Sequence, residues 1–198
     1  MKYNPQIHDR KSIRLKGYDY SQAGLYFITI CVQNRECLFG NIINDQMILN
    51  DAAMMISKWY HELENKFPDI RCHQMIVMPN HFHAILENVG AVGMVGMVGA
   101  DLRVCPNNRV CPNNRVCPNN HTEGEHVGSP LHRVVQWFKT MTTNEYIRGV
   151  KHLGWQPFDR KLWQRNYWEH IIRTENNYNR IAEYILNNPK KWGDDKLK

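Results

Sequence analysis

The sequence predicts an α+β fold in which helices pack on an antiparallel sheet. The stretch from Leu25 to Val32 is rich in β-branched and aromatic residues and nearly continuous in apolar character, as expected of a central strand. A second strand from His73 to Val77 leads to the turn dipeptide Pro79-Asn80, and another strand follows it, so these two strands are expected to pair antiparallel. Three further stretches carry apolar residues at three- and four-residue steps, which indicates helices packed against the sheet.

The three predicted helices begin at recognisable capping signals. Asn50 or Asp51 caps the first helix, because a side-chain oxygen there can accept hydrogen bonds from free backbone amides. Ser129-Pro130 precedes the second helix, whose apolar stripe is opposed by a partly basic face. Thr174 caps the third helix, which is expected to run to about Asn188. One more short strand is possible around residues 47–49, before the first helix.

Residues 89–128 interrupt this pattern. Val-Gly-Met steps are followed by three unchanged copies of Arg-Val-Cys-Pro-Asn-Asn, at residues 103–108, 109–114 and 115–120. Copies of six residues are too short for a solenoid unit and too uniform for a shaped core. We therefore expect one domain spanning residues 1–198, with a low-complexity surface insertion at about 89–128.

The charge of the chain and its apolar runs narrow the classes of function. The formal net charge is +6 and the sequence pI is about 9.0, values that fit a nucleic-acid partner but that many soluble proteins also reach. No run approaches the ~20 apolar residues of a membrane span, and the N-terminus lacks the apolar region of a signal peptide. We expect a cytoplasmic protein with no membrane partner.

Three of the six cysteines, Cys105, Cys111 and Cys117, are copies within the repeat. In a reducing compartment all six are expected to be free thiols. A zinc site in the repeat is the alternative, although the spacing lacks the close Cys-x2-Cys pair typical of structural zinc sites.

His81 and His83 lie on one face of a predicted strand. They flank Phe82, and because side chains alternate between the faces of a strand, Phe82 is expected to point into a core. Two imidazoles about 6–7 Å apart on a rigid strand can converge on a divalent ion. A pair of ordinary core histidines is the alternative interpretation.

Tyr184 and Asn188 lie one turn apart on the last predicted helix. At 100° per residue, Tyr184 lies well away from the centre of the apolar stripe, whereas Tyr178 lies on it. With Arg180 one turn before it, Tyr184 has the neighbours of an activated nucleophile near a metal. A surface tyrosine is the alternative.

Two regions carry candidate groups for contacts with nucleic acid. Aromatic residues alternate with Arg and Gln between Leu162 and Ile172, a pattern that suits stacking on exposed bases. A segment that packs its aromatic rings and exposes a polar edge is the alternative. The first twenty residues are basic and form either an arm on a phosphate backbone or a solvated tail.

The dispersed motifs together resemble a known family. His81-Phe82-His83 resembles the HUH motif, and with Tyr184 and Asn188 it is similar to the single-tyrosine HUH transposases, among them the REP-associated tyrosine transposases. The resemblance extends over most of residues 5–88 and 129–192. The further motifs that carry it are Met78-Pro79-Asn80-His81-Phe82-His83, Trp163-Gln164-Arg165-Asn166-Tyr167, Glu169-His170-Ile171-Ile172-Arg173 and Tyr184-Ile185-Leu186-Asn187-Asn188-Pro189.

The resemblance implies a ferredoxin-like antiparallel sheet, with the C-terminal helix carrying the nucleophile. His81 and His83 would hold a divalent metal ion, Mg²⁺ or Mn²⁺, with Asn188 as a third ligand or as its orienting neighbour. Tyr184 would attack the scissile phosphate, leaving a 5′-phosphotyrosine and a free 3′-hydroxyl. The implied activity is that of a DNA transposase.

The implied partner is single-stranded DNA with a hairpin, such as a REP-like palindrome, bound by a monomer or a homodimer. The residues expected to bind this nucleic acid are Arg14, Arg133, Lys139, Trp163 and Arg165. A catalytically inactive hairpin-binding protein on the same scaffold is the alternative. A hydrolase of small phosphoesters is a third possibility, but the sequence lacks the further carboxylate ligands that such sites usually need.

Overall fold

The computed structural model describes residues 15, 17–90, 129–195 and 197. Most of the predicted insertion at 89–128, the repeat cysteines and Arg14 therefore lie outside the described residues. The elements in chain order are β1 (Gly24–Cys31), β2 (Gly40–Ile43), β3 (Gln46–Leu49), α1 (Asp51–Lys66), β4 (Ile70–Met78), β5 (His81–Asn88), α2 (Leu131–His152), β6 (Trp168–Ile172) and α3 (Glu175–Asn187). Short 3₁₀ turns span Gln33–Arg35 and Pro189–Asp194.

Four strands form one sheet in the order β4-β5-β1-β6, and all three neighbouring pairs are antiparallel. Strands β1 and β4 run in the same direction with β5 inserted between them, and α1 makes the connection from β1 to β4. This is the split β-α-β arrangement of the ferredoxin-like fold. The predicted fold class is confirmed.

The two faces of the sheet bury different side chains. Tyr26, Ile28 and Phe82 belong to the larger core, which the apolar stripes of α1 and α2 complete. The opposite face carries a smaller cluster, in which Ile85 of β5 packs against Ile181 and other residues of α3. The alternation predicted for β5 is confirmed, because Phe82 lies in the larger core while His81 and His83 point towards the α3 side.

The capping predictions hold for two of the three helices. The Asn50 side chain accepts a hydrogen bond from the amide of the third helical residue of α1, and Thr174 does the same at the start of α3. At the start of α2 the Ser129 side chain does not cap the helix. Its hydroxyl and its backbone amide instead donate to the Asp69 carboxylate.

Two parts of the sheet differ from the prediction. Strand β6 was not predicted, because it is a five-residue edge strand whose exposed and partly buried residues alternate without a continuous apolar run. The single short strand expected near residues 47–49 is one arm of a hairpin, in which β2 and β3 form a separate two-stranded sheet. Gly40 begins this hairpin with φ of 121°, and any side chain there would meet the Ile48 carbonyl.

Two observations concern cysteines and membrane spans. The described cysteines, Cys31, Cys37 and Cys72, are free thiols, as predicted. No helix in the described part of the chain is long and apolar enough to cross a membrane.

Candidate active site

The imidazoles of His81 and His83 lie side by side on the α3 face of the sheet. Their ring centroids are 4.6 Å apart, and both side chains are fully buried. His81 is the first residue of β5, directly after the predicted Pro79-Asn80 turn. Two backbone pairings, to Cys31 and to Met78, hold it in the centre of the sheet.

A hydrogen bond fixes the ring of His81 through its Nδ1 atom, which lies 2.8 Å from Asn80 Oδ1. The Asn80 Nδ2 atom donates to the carbonyls of Arg35 and Leu197, so the atom facing the imidazole is the acceptor Oδ1. The proton of neutral His81 therefore lies on Nδ1, and Nε2 presents a lone pair.

His83 is held in the same way from the neighbouring strand. Its Nδ1 atom lies 2.8 Å from Thr29 Oγ1, and the Phe27 ring stacks against the imidazole at a centroid distance of 5.3 Å. Both Nε2 atoms thus face away from the groups that orient the rings. This is the usual arrangement of histidines that bind a metal ion through one nitrogen and are oriented through the other.

The structure brings Tyr184 to these histidines within one chain. Its hydroxyl lies 3.4 Å from His83 Nε2, and its ring makes an edge contact with Phe27 at a centroid distance of 6.1 Å. Ile181 and Ile185 are buried against the sheet on the same helix, so the helix holds Tyr184 at the border of the buried stripe. The tyrosine side chain stays 37% exposed and is accessible to a substrate.

Two buried oxygen acceptors complete the cleft. Asn188 caps the end of α3, and Asp195 follows the 3₁₀ turn, with its Oδ2 atom 3.7 Å from His81 Nε2. Asn188 Oδ1, Asp195 Oδ2 and His81 Nε2 are all buried and, within the described part of the chain, have no hydrogen-bond partner. Unpaired buried acceptors that lie close together are costly unless a cation or a proton lies among them.

The protonation equilibria reflect this burial. Burial lowers the pKa of His81 to about 4, an effect that Asp195 opposes and Arg35 strengthens. Burial, together with the neighbouring His81, holds the pKa of His83 well below its usual value. Burial and the Asp195 carboxylate raise the pKa of Tyr184, while the nearby Asn188 carboxamide opposes the rise. Both imidazoles are therefore neutral at pH 7 and can bind a cation, whereas the tyrosine is a protonated phenol.

The side chains of the cleft suit a divalent cation only if the Asn188 carboxamide is one of the ligands. Among the described residues, no three His, Cys, Asp or Glu side chains form a group that could hold a metal ion. The Nε2 atoms of His81 and His83 and the unpaired Oδ1 atom of Asn188 nevertheless face one cleft, and Asp195 adds a negative charge. The residues present thus fit a divalent ion, and they do so with a set that mixes nitrogen and oxygen ligands.

The predicted nucleic-acid-binding residues are in different environments. Arg133 and Arg165 are exposed, and Arg165 lines a surface groove of about 340 Å³ together with Lys161. The Lys139 ammonium at this groove donates to the backbone carbonyls of Gln164 and Arg165, at 2.6 and 3.1 Å. It therefore stabilises the loop before β6.

The structure corrects the expectation for Trp163. Its side chain is 4% exposed, packs in the larger core and donates from Nε1 to Thr142 Oγ1 at 2.9 Å. The aromatic residue pattern alone did not separate rings that pack from rings that are exposed. Although Trp163 borders the surface groove, too little of its ring is exposed to stack on a base.

The sequence reasoning missed three residues that shape the site. Asn80 could have been found, because a polar residue in a tight turn directly before His81 is placed to bind its ring. Thr29 could not be found without the register of β1 against β5. Asp195 lies beyond the end of the last predicted helix, where no periodicity indicates which way its side chain points.

The chain is similar to an uncharacterised protein of Haemophilus influenzae (strain ATCC 51907 / DSM 11121 / KW20 / Rd). The two are 41% identical over 196 residues, which cover 99% of this chain and 97% of that protein. The two chains belong to one family. No family model matches the chain.

A solved structure with a similar fold is that of a REP-associated tyrosine transposase bound to a REP hairpin. The TM-score is 0.52 at 17% identity, and the match covers 94% of this chain and 77% of that chain. At this identity the likeness shows a shared fold.

Proposed function

We propose that the protein is a single-strand DNA endonuclease and strand transferase, a transposase that acts at hairpin DNA with Tyr184 as its nucleophile. The observation that carries the proposal is the 3.4 Å distance between the Tyr184 hydroxyl and His83 Nε2 within one chain. These groups come from a helix and a strand about a hundred residues apart in sequence. Their meeting combines a nucleophile with ligands for a cation, as phosphoryl transfer requires.

In the proposed reaction, the Tyr184 oxygen forms a bond to the phosphorus of a DNA phosphodiester. The bond from phosphorus to the 3′-oxygen of the preceding nucleotide breaks, and that oxygen leaves with the bonding electrons. The proton lost by the phenol is balanced by the proton gained by the 3′-oxygen. The products are a 5′-phosphotyrosine and a free 3′-hydroxyl, which can attack the adduct to rejoin the strand.

A divalent cation, Mg²⁺ or Mn²⁺, would be held by His81, His83 and Asn188, next to the carboxylate of Asp195. When bound, such a cation withdraws negative charge from a non-bridging phosphate oxygen. The chain itself supplies the orientation, because Asn80 and Thr29 hold the two imidazoles with their Nε2 atoms towards the cleft.

The proposal includes the domain organisation and the DNA partner. Residues 1–198 form one HUH domain with the segment 89–128 as an insertion. The exposed Arg165 and Arg133, together with the basic N-terminal arm that contains Arg14, contact the phosphate backbone. A cleft completed within one chain allows a monomer to act, and a homodimer would carry two such clefts.

A labelled oligonucleotide with a hairpin and a single-stranded flank tests the proposal on a denaturing gel. With Mg²⁺ or Mn²⁺ we expect a covalent protein–DNA band that is absent with EDTA and absent for Tyr184→Phe. Tyr178→Phe is the matched control, because Tyr178 lies on the same helix but bonds to Gln74 and His73. It should form the adduct.

Two results would decide against the proposal. If Tyr184→Phe forms the adduct normally, the nucleophile has been assigned wrongly. If the wild-type chain binds the hairpin with a steep salt dependence but forms no adduct with any divalent ion, the protein is the inactive DNA-binding scaffold.

A further inference from the structure

Trp168 is the most exposed tryptophan of the protein. All six tryptophans lie within the described residues, and the side chain of Trp168 is 49% exposed, whereas the others are partly or fully buried. A half-exposed indole removes little apolar surface from water within the chain. It is available to a partner with a flat apolar face.

The register of the sheet places Trp168 on the same face as His83. Thr29 pairs with His83 on one side and with Trp168 on the other, and directly paired residues point to the same face. The strand of Trp168 is thus two strand spacings, about 10 Å, from the strand of His83. The indole stands beside the candidate active site at the open edge of the sheet.

Polar groups of α3 lie on the side of the helix that contacts β6. Asn177, Arg180 and Tyr184 fall within an arc of about 60° on this helix, on the flank of its buried stripe. Asn177 lies 3.1 Å from His170 Nε2 of β6 and accepts a 2.9 Å hydrogen bond from Arg180. This side of α3 therefore lies next to β6, the strand that carries Trp168, and Tyr184 is its last residue.

The end of this flank near the start of α3 is cationic. Between β6 and the start of α3 lies a cleft of about 440 Å³, whose lining includes Arg173, Arg180 and His170. The guanidinium groups are exposed and suit phosphate oxygens. An exposed indole at the start of β6 and two exposed guanidinium groups beyond its end match the alternating bases and phosphates of a single strand.

We propose that Trp168 is a stacking platform for an unpaired base next to the phosphate that Tyr184 attacks, with Arg180 contacting the backbone of the same strand. This inference rests on the proposed function, since it assigns the nucleotide beside the scissile phosphate. It also names the occupant of the groove between β6 and α3. That occupant is the single-stranded flank of the DNA.

Binding of oligonucleotides that lack one base tests the inference. Fluorescence anisotropy is measured for Tyr184→Phe protein, which cannot form the adduct, with a labelled hairpin whose flank carries one abasic site at successive positions. At one position we expect the loss of the base to weaken binding by about 5- to 150-fold, the contribution of stacking on one aromatic side chain.

Adding Trp168→Ala should produce the same weakening with intact DNA and no further loss with the abasic oligonucleotide at that position. Trp168→Phe should retain most of the affinity and the sensitivity to the abasic site. Met54→Ala, at an exposed apolar residue of α1, is the control and should change neither quantity. Thermal unfolding of each variant separates a loss of binding from a loss of fold.

Any of three outcomes overturns the inference. The first is that an abasic site weakens binding at no position, and the second is that Trp168→Ala binds the intact DNA as tightly as the protein with Trp168. The third is that the losses of binding free energy from Trp168→Ala and from the abasic site are additive. The adduct assay remains separate. A chain that forms the Tyr184 adduct but shows no coupling to Trp168 refutes the stacking platform alone. A chain that shows the coupling but forms no adduct refutes the proposed activity and leaves Trp168 as a base-stacking residue without a scissile phosphate beside it.

Discussion

Thr29→Val tests whether the orientation of His83 prepares the site for a cation. The substitution keeps the size of a side chain that is 6% exposed and removes the 2.8 Å hydrogen bond to the Nδ1 atom of His83. An unpaired, buried ring nitrogen costs about 1–3 kcal/mol. For a chain of this length that loss lowers the melting temperature by about 2–12 °C.

The larger expected effect of Thr29→Val is on cation affinity. Without the bond to Nδ1, the ring of His83 loses the group that directs its Nε2 atom towards Tyr184. Loss of such an orienting group typically weakens metal binding by about 10- to 100-fold. Isothermal titration calorimetry with Mn²⁺ measures this below the melting temperature of the variant, without reference to DNA cleavage.

Thr140→Val is the matched control, because the same change is made on the exposed face of α2. It should leave Mn²⁺ affinity unchanged. If Thr29→Val is folded and binds Mn²⁺ as tightly as the wild type, the bond between Thr29 and His83 does not organise a cation site and the reasoning is refuted.

Three other predictions concern packing and charge. Gly149→Ala places a methyl group inside the ring of Trp155. Because the cost of this overpacking exceeds the gain from the helix propensity of alanine, the melting temperature should fall by about 2–8 °C. An increase in the melting temperature would contradict this packing. Tyr60→Phe removes a buried hydroxyl that donates to the Ile85 carbonyl at 2.7 Å and lies 3.2 Å from the His73 carbonyl. Urea unfolding should show a loss of about 1–2 kcal/mol at an unchanged m-value. A shift below ~0.5 kcal/mol would show that this hydroxyl contributes little. Asp195→Asn removes the buried negative charge beside His81 and should weaken Mn²⁺ binding by about tenfold or more in calorimetry. Asp194→Asn, at an exposed neighbouring residue, is the control and should leave the affinity unchanged. Equal Mn²⁺ affinities of the two variants would refute the electrostatic role of Asp195.

The sequence was sufficient to predict the features that depend on periodicity. The alternation of His81, Phe82 and His83 defined which side chains share a face, and the 100° rule placed Tyr184 on the flank of its helix. The structure shows both arrangements. These predictions succeed because they depend on local backbone geometry, which a single strand or helix determines by itself.

The features that the sequence did not predict depend on tertiary neighbours. Trp163 and Trp168 lie in one aromatic run, yet one is buried in the core and the other is half exposed. The two residues differ in exposure because Trp168 begins β6, an edge strand that forms by pairing with β1 although its own sequence shows little strand periodicity. Likewise, Asp195 reaches His81 only because the 3₁₀ turn after α3 folds back over the sheet.

The contact between Asn88 and Ser129 has a consequence for the evolution of chain length. The Asn88 side chain donates to the Ser129 carbonyl at 3.1 Å, so the chain leaves the sheet and returns to it at adjacent points. With the two ends already side by side, one more six-residue copy in a 40-residue connection costs only ~0.1 kcal/mol of closure entropy. Because Asn88 ends the strand that carries both histidines and Ser129 precedes α2, a change in the length of the connection between them need not move either His81 or His83.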